Sequence, residues 1–186
     1  MFGFLELKTI LLIVHIFGAI VGAGGAFTSD WIFLSSIKDS TINETEIRFI
    51  ELGSRMVWIG LIILIISGLA LFSLAPEQYL ASGKFLAKMS IVGILTLNGL
   101  LFHLVYIPLF GRNLNSPIPL SVDFKHKSTF IMISGAISMI SWSSAIILGV
   151  IKKIPYGYKE IMSVYLLIVL FGIISAIFMK KRTLHL

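Results

Sequence analysis

No cysteine occurs anywhere in the chain. Its absence excludes disulfides, iron–sulfur clusters, thiolate metal sites and covalent c-type haem attachment. Charge is scarce as well. Asp, Glu, Lys and Arg together make up 13% of the residues, against about a quarter in an ordinary soluble domain. There is no G-x-x-x-x-G-K-[ST] phosphate loop, no repeat of the whole unit and no low-complexity tract, so nothing points to a nucleotide fold. The net charge of +6 does not argue for nucleic acid either. The basic residues lie in short segments between apolar runs, where they orient a membrane protein.

What the chain has in abundance is apolar length. Hydrophobic residues are 57% of its 186 positions and the mean hydropathy is +0.99. Five runs reach the approximately 20 residues needed to cross a bilayer, over 7–33, 49–74, 85–110, 130–151 and 161–179. The reading is an all-α integral membrane protein, a five-helix bundle forming one domain over 1–186 in contact with the lipid bilayer. The first run is too long for a signal peptide and no basic cluster precedes it, so it is expected to stay in the mature protein. The polar stretch "SSIKDSTINETEIRF" ends one helix and starts the next, with Thr41 or Asn43 as cap and Glu44 and Glu46 in the favourable first turn. "APEQYLASGK" and "GRNLNSPIPLSVDFKHK" are loops marked by proline and glycine. With Lys88 and Arg55 set aside, Lys8, Lys84, Lys152, Lys153 and Lys159 fall on the N-terminal side. Lys38, Arg48, Arg112, Lys125, Lys127, Lys180, Lys181 and Arg182 fall on the other. Five against eight places the N-terminus outside and the C-terminus in the cytoplasm.

Ionisable side chains within spans are costly and mark candidate sites. His15 and Asp30 are fifteen residues apart in the first span, and Lys88 and His103 are fifteen apart in the third. Both spans run the same way, so His15 pairs in depth with Lys88, and Asp30 with His103 roughly 22 Å further along. At about 100° per residue, His15, Gly18, Gly22, Ala26 and Asp30 share one stripe about 120° wide. Lys88, Val92, Leu95, Gly99 and His103 do the same on the third span. Glu51, Arg55 and Trp58 share a face of the second, and Asp30, Glu51, Arg55 and His103 are expected to gather at one end. Several of these residues also have structural readings. Gly18-x-x-x-Gly22 is a small-residue packing motif, and Ser134, Ser138, Ser141 and Ala145 belong to the same class. Trp31 and Trp58 read as interfacial anchors. His126 and His185 lie in a loop and a tail and receive no role.

His15 has no charged neighbour within several residues and suits ligation. Haem b takes one or two axial ligands, usually neutral imidazole, and needs a flat apolar slot. His15 supplies the imidazole, Gly18 and Gly22 remove bulk from a porphyrin face, and Lys88 meets a propionate or a substrate as the catalytic group. His103 lies too far along to share the iron, which leaves Met89 and Met139 as candidates for a second ligand.

"HIFGAIVGAGGAF", "EIRFIELGSRMVWIGLIILIISGLALF" and "KFLAKMSIVGILTLNGLLFH" resemble the haem-dependent bacterial membrane protoporphyrinogen oxidases and, more loosely, the copper-resistance D-type membrane domains. That oxidase family carries a histidine on its first helix and a lysine early in its third span, matched here by His15 and Lys88. Arg48 falls near the basic residue that begins the second helix, and His103 near the histidines that close the third. The resemblance implies a prokaryotic cytoplasmic-membrane location. The chain departs from the family in lacking a tryptophan–x–histidine before its lysine, in replacing aromatic residues after His15 by glycine and alanine, and in having a fifth span. Haem binding survives these departures better than protoporphyrinogen oxidation does. The leading expectation is therefore a haem b oxidoreductase or electron-transfer protein, served by a quinone or another redox partner and open to homo-oligomerisation. The alternative is a divalent-metal-binding protein or transporter, with Asp30, Glu51 and His103 as ligands for zinc, manganese or iron, His15 being the fourth candidate metal ligand through its haem iron. A third reading is an assembly subunit whose small-residue faces meet partners.

Overall fold

In lipid a backbone must satisfy its own hydrogen bonds, and an apolar run of this length does so as a helix. The computed structural model describes residues 2–39, 43–108, 122–152 and 154–183. Its elements are α1 (Phe2–Asp39), α2 (Glu44–Ser73), a short α3 (Pro76–Leu80), α4 (Gly83–Leu101), α5 (Val122–Val150) and α6 (Tyr158–Thr183). α4 continues directly into a π-helical turn, Phe102–Tyr106. Among the described residues there is no strand. Five of the helices are long and apolar enough to cross a membrane: Glu6–Ser36, Glu44–Ser73, Gly83–Tyr106, Ser128–Val150 and Tyr158–Met179. This is an all-α five-helix bundle of a multi-pass membrane protein.

Polar caps set several ends. Asn43 opens α2: its Oδ1 accepts from the Glu46 amide and its own amide donates to Glu46 Oε2, both at 2.9 Å. Thr41, the other expected cap, lies outside the described residues, as do positions 109–121 of the long loop and His185. Pro76 stands in the first turn of α3, where its missing N–H costs nothing. Ser82 caps α4. Lys84 Nζ donates to the Ile151 carbonyl at 2.7 Å, placing a cation at the negative end of α5.

α1 packs chiefly on α2, α5 packs on α4 and α6, and α1 also meets α5. The α1–α2 seam is glycine-lined and very close. A Cβ on Gly60 would collide with the Gly22 backbone and lie 2.7 Å from the Gly18 carbonyl oxygen. Three apolar layers stack along the bundle. Phe33, Ile50, Tyr106 and Ile131 form the layer at the end where α1 finishes, here termed the distal end. Ala23, Ala26, Leu61, Leu95 and Trp142 form the middle layer. Ile91, Leu148 and Tyr165 form the layer near the α5–α6 loop. Outside these layers, large apolar side chains such as Phe17, Ile66, Leu97 and Phe171 are exposed, as a lipid-facing surface requires. Trp31 is exposed too, consistent with an anchor at the membrane–water boundary.

Candidate functional site

Polar groups inside a bundle must find partners, and most here do so pairwise. Asn98 on α4 donates to the Ser134 carbonyl at 3.0 Å and accepts from Ser134 Oγ at 2.9 Å. Ser141 on α5 and Tyr165 on α6 are hydrogen-bonded at 2.9 Å. These pairs tie neighbouring helices together.

Asp30 behaves differently. It stands on α1 between the distal and middle apolar layers, where α1, α2, α4 and α5 line a half-open cavity of about 40 Å³. The cavity wall carries Ser29, Ser54, Asn98, Ser134 and Ser138 beside the carboxylate, and no lysine, arginine or histidine. α5 can close against Asp30 because Gly135 lacks a side chain: a Cβ there would stand 3.1 Å from Oδ1. Asp30 is half-buried as a residue, yet its Oδ2 is fully enclosed and has no hydrogen-bond partner. Ser29 Oγ is enclosed and unpartnered in the same way. A buried carboxylate without hydrogen bonds or a counter-charge is costly enough that it needs something brought to it. The cavity exceeds the 10–15 Å³ or so that one water requires and is lined by the polar groups that would hold water.

The other expected residues are distributed around this centre. His103 sits on the π-helical turn with its ring exposed, its Nδ1 3.3 Å from Ser54 Oγ and its edge toward Trp58 at 6.4 Å between ring centres. Glu51 is half-buried and Arg55 exposed, and neither lines the Asp30 cavity. Of the four residues expected to gather, Asp30 lines the cavity and His103 meets its wall at Ser54. Among the described residues no three His, Asp or Glu side chains form a group that could hold a metal ion. His15, Asp30, Glu51 and His103 are not such a set, because they are spread over three helices and both ends of the bundle.

His15 lies on the α1–α2 seam, its Nδ1 2.9 Å from Ser67 Oγ. Ser67 already gives its one proton to the Ile63 carbonyl at 2.6 Å, so the histidine is the donor and its Nδ1 carries hydrogen. Gly68 leaves room for the ring: a Cβ there would come within 3.3 Å of Cε1. Lys88 is half-buried on α4, with Nζ 3.9 Å from the place of a Cβ on Gly149. The flat slot expected at Gly18 and Gly22 is filled by protein. A Cβ on Gly18 would meet Ile63 Cγ2 at 2.8 Å, and Gly22 lies under the Trp142 ring. A porphyrin against this stripe would have to displace α2 and Trp142, so these residues do not fit a haem there. Met89 and Met139 are exposed on the outer surface. The side chain of His126 lies outside the described residues.

Sequence reading missed Ser29, Ser54 and Asn98 and placed Ser134 and Ser138 among packing residues. Asn98 carried the available signal, an amide in the middle of an apolar span. No family model, no curated protein and no solved structure matches the chain, so the site is read from its own residues.

Proposed function

We propose that this multi-pass protein moves protons in the cytoplasmic membrane of a prokaryote, with its N-terminus outside, by charging and discharging Asp30. The observation that carries the reading is the enclosed, unpartnered Oδ2 of Asp30 in a polar cavity with no basic residue in its wall. A single carboxylate is neutralised by a single positive charge. A proton meets that need without the several oxygen or nitrogen ligands a divalent ion demands. Water in the cavity would pass the proton to and from the carboxylate. The test is proton flux into liposomes containing the purified protein and a pH-sensitive dye, driven by an imposed gradient. Wild type is expected to carry protons, and Asp30→Asn, which keeps shape and polarity, to carry none. Equal flux in the two proteins overturns the reading, as does a wild type no faster than empty liposomes.

A second reading, axial haem ligation by His15, keeps one supporting observation. Ligating histidines usually donate their other ring N–H to a fixed acceptor, and His15 Nδ1–H does so to Ser67. The filled glycine stripe weighs against it.

A further inference from the structure

Asp30 exchanges protons by way of the residues that line its half-open cavity. Among the cavity residues, Ser54 is hydrogen-bonded to an ionisable side chain, His103. Ser54 itself is 5% exposed, whereas His103 is exposed, three positions before the described span ends at Tyr106. The two residues thus link the outer surface at the distal end to the interior. The backbone that carries His103 is π-helical, a local widening often found where a helix is adapted for function. One turn before it, Gly99 lines the same cavity without any side chain.

We infer that His103 and Ser54 form the proton port of the Asp30 cavity; this rests on the proton-carrying reading of Asp30. In the inward step the His103 Nδ1–H bond breaks as a proton passes to Ser54 Oγ. The hydroxyl's own proton leaves toward Asp30, directly or through water, and an O–H bond forms on the carboxylate. Imidazolium and carboxylate become neutral imidazole and carboxylic acid, and Ser54 ends with one proton as it began. His103 regains its proton from the aqueous side; this port serves the distal end, and passage across the membrane also requires exchange between Asp30 and the other end of the bundle. The charged groups of the adjoining stretch of α2 are Glu51 and Arg55, which border the port without lining the cavity. Tyr106 is the ionisable neighbour on the same turn, and α5 carries Asp123, Lys125, His126 and Lys127 in its first two turns at this end, with no ionisable side chain from Ser128 to Val150.

The test uses the full chain in liposomes and compares wild type with Asp30→Asn, His103→Gln, Ser54→Ala and Ser54→Thr. A positioned proton-transfer group contributes at least about a hundredfold, so His103→Gln and Ser54→Ala are expected to slow flux by that order. Ser54→Thr, which keeps the hydroxyl, retains it. Added imidazole is expected to restore flux to His103→Gln. Rescue by imidazole or by threonine separates proton transfer from a structural role, and the two Ser54 variants decide the matter if His103→Gln folds poorly. If Asp30→Asn abolishes flux while His103→Gln and Ser54→Ala match wild type, the port is wrong and the Asp30 reading stands. If Asp30→Asn matches wild type, the reading of Asp30 fails first.

Discussion

Two glycine-to-alanine substitutions, Gly60→Ala on α2 and Gly24→Ala on α1, are chemically identical and should act in opposite directions. At Gly24 a Cβ meets nothing within 4 Å. There the change only restricts the unfolded backbone and raises helix propensity, which is worth up to about 1 kcal/mol of stabilisation. At Gly60 the added carbon would collide with the Gly22 amide and Cα and sit 2.7 Å from the Gly18 carbonyl oxygen. All three obstacles are backbone, so no side-chain rotation relieves them. Restoring ordinary contact requires α1 and α2 to part by roughly 1 Å along their seam, which forfeits part of the dispersion energy on both sides. Overpacking of this kind costs about 1–3 kcal/mol, and the propensity gain offsets only part of it. The net expectation is about 1–2 kcal/mol of destabilisation for Gly60→Ala, against zero to slight stabilisation for Gly24→Ala. Unfolding in mixed micelles with a rising SDS fraction measures both. If Gly60→Ala is as stable as Gly24→Ala, the backbone seam described here is refuted.

Labelling or reporter fusion at Ser40, Glu77, Ser116 and Tyr156 is expected to report in, out, in, out; finding Ser40 and Glu77 on one face contradicts the five-span topology. Asp30→Asn should leave stability unchanged or raise it by up to about 1–2 kcal/mol, since it removes an unpartnered buried carboxylate that function retains. A clear loss in the same SDS titration would instead make Asp30 a structural residue. Protein purified from haem-replete cells should show no Soret band. A band that disappears in His15→Ala while the protein still inserts would reverse the order of the two functional readings.

The parts of this fold that were legible in the sequence are those the bilayer dictates. Apolar length gave the five spans to within a few residues, and Asn43 was one of the two caps expected at the start of α2. Asp30 stood out because an ionisable residue in lipid demands a reason. What sequence could not supply was the rotation of each helix. In a soluble bundle an apolar stripe identifies the inward face, but here Phe17 and Ile66 face outward while Leu61 and Ile91 face inward, and all four are equally apolar. The glycine stripe of α1 was ambiguous for the same reason. Gly18 and Gly22 suit a porphyrin or a neighbouring backbone equally well, and the residues that settle their surroundings, Gly60 and Trp142, belong to other helices. His103 shows the converse error, since its depth was right but its face was not: it lies outside, reaching the interior only through Ser54. In such a chain the polar side chains define the inside. Asp30 on α1, Ser54 on α2, Asn98 on α4 and Ser134 on α5 line the same small space, a convergence no single span reveals. Each of them is dispensable to crossing the membrane. Their shared orientation orders the four helices around a centre that lipid partitioning alone would leave unspecified.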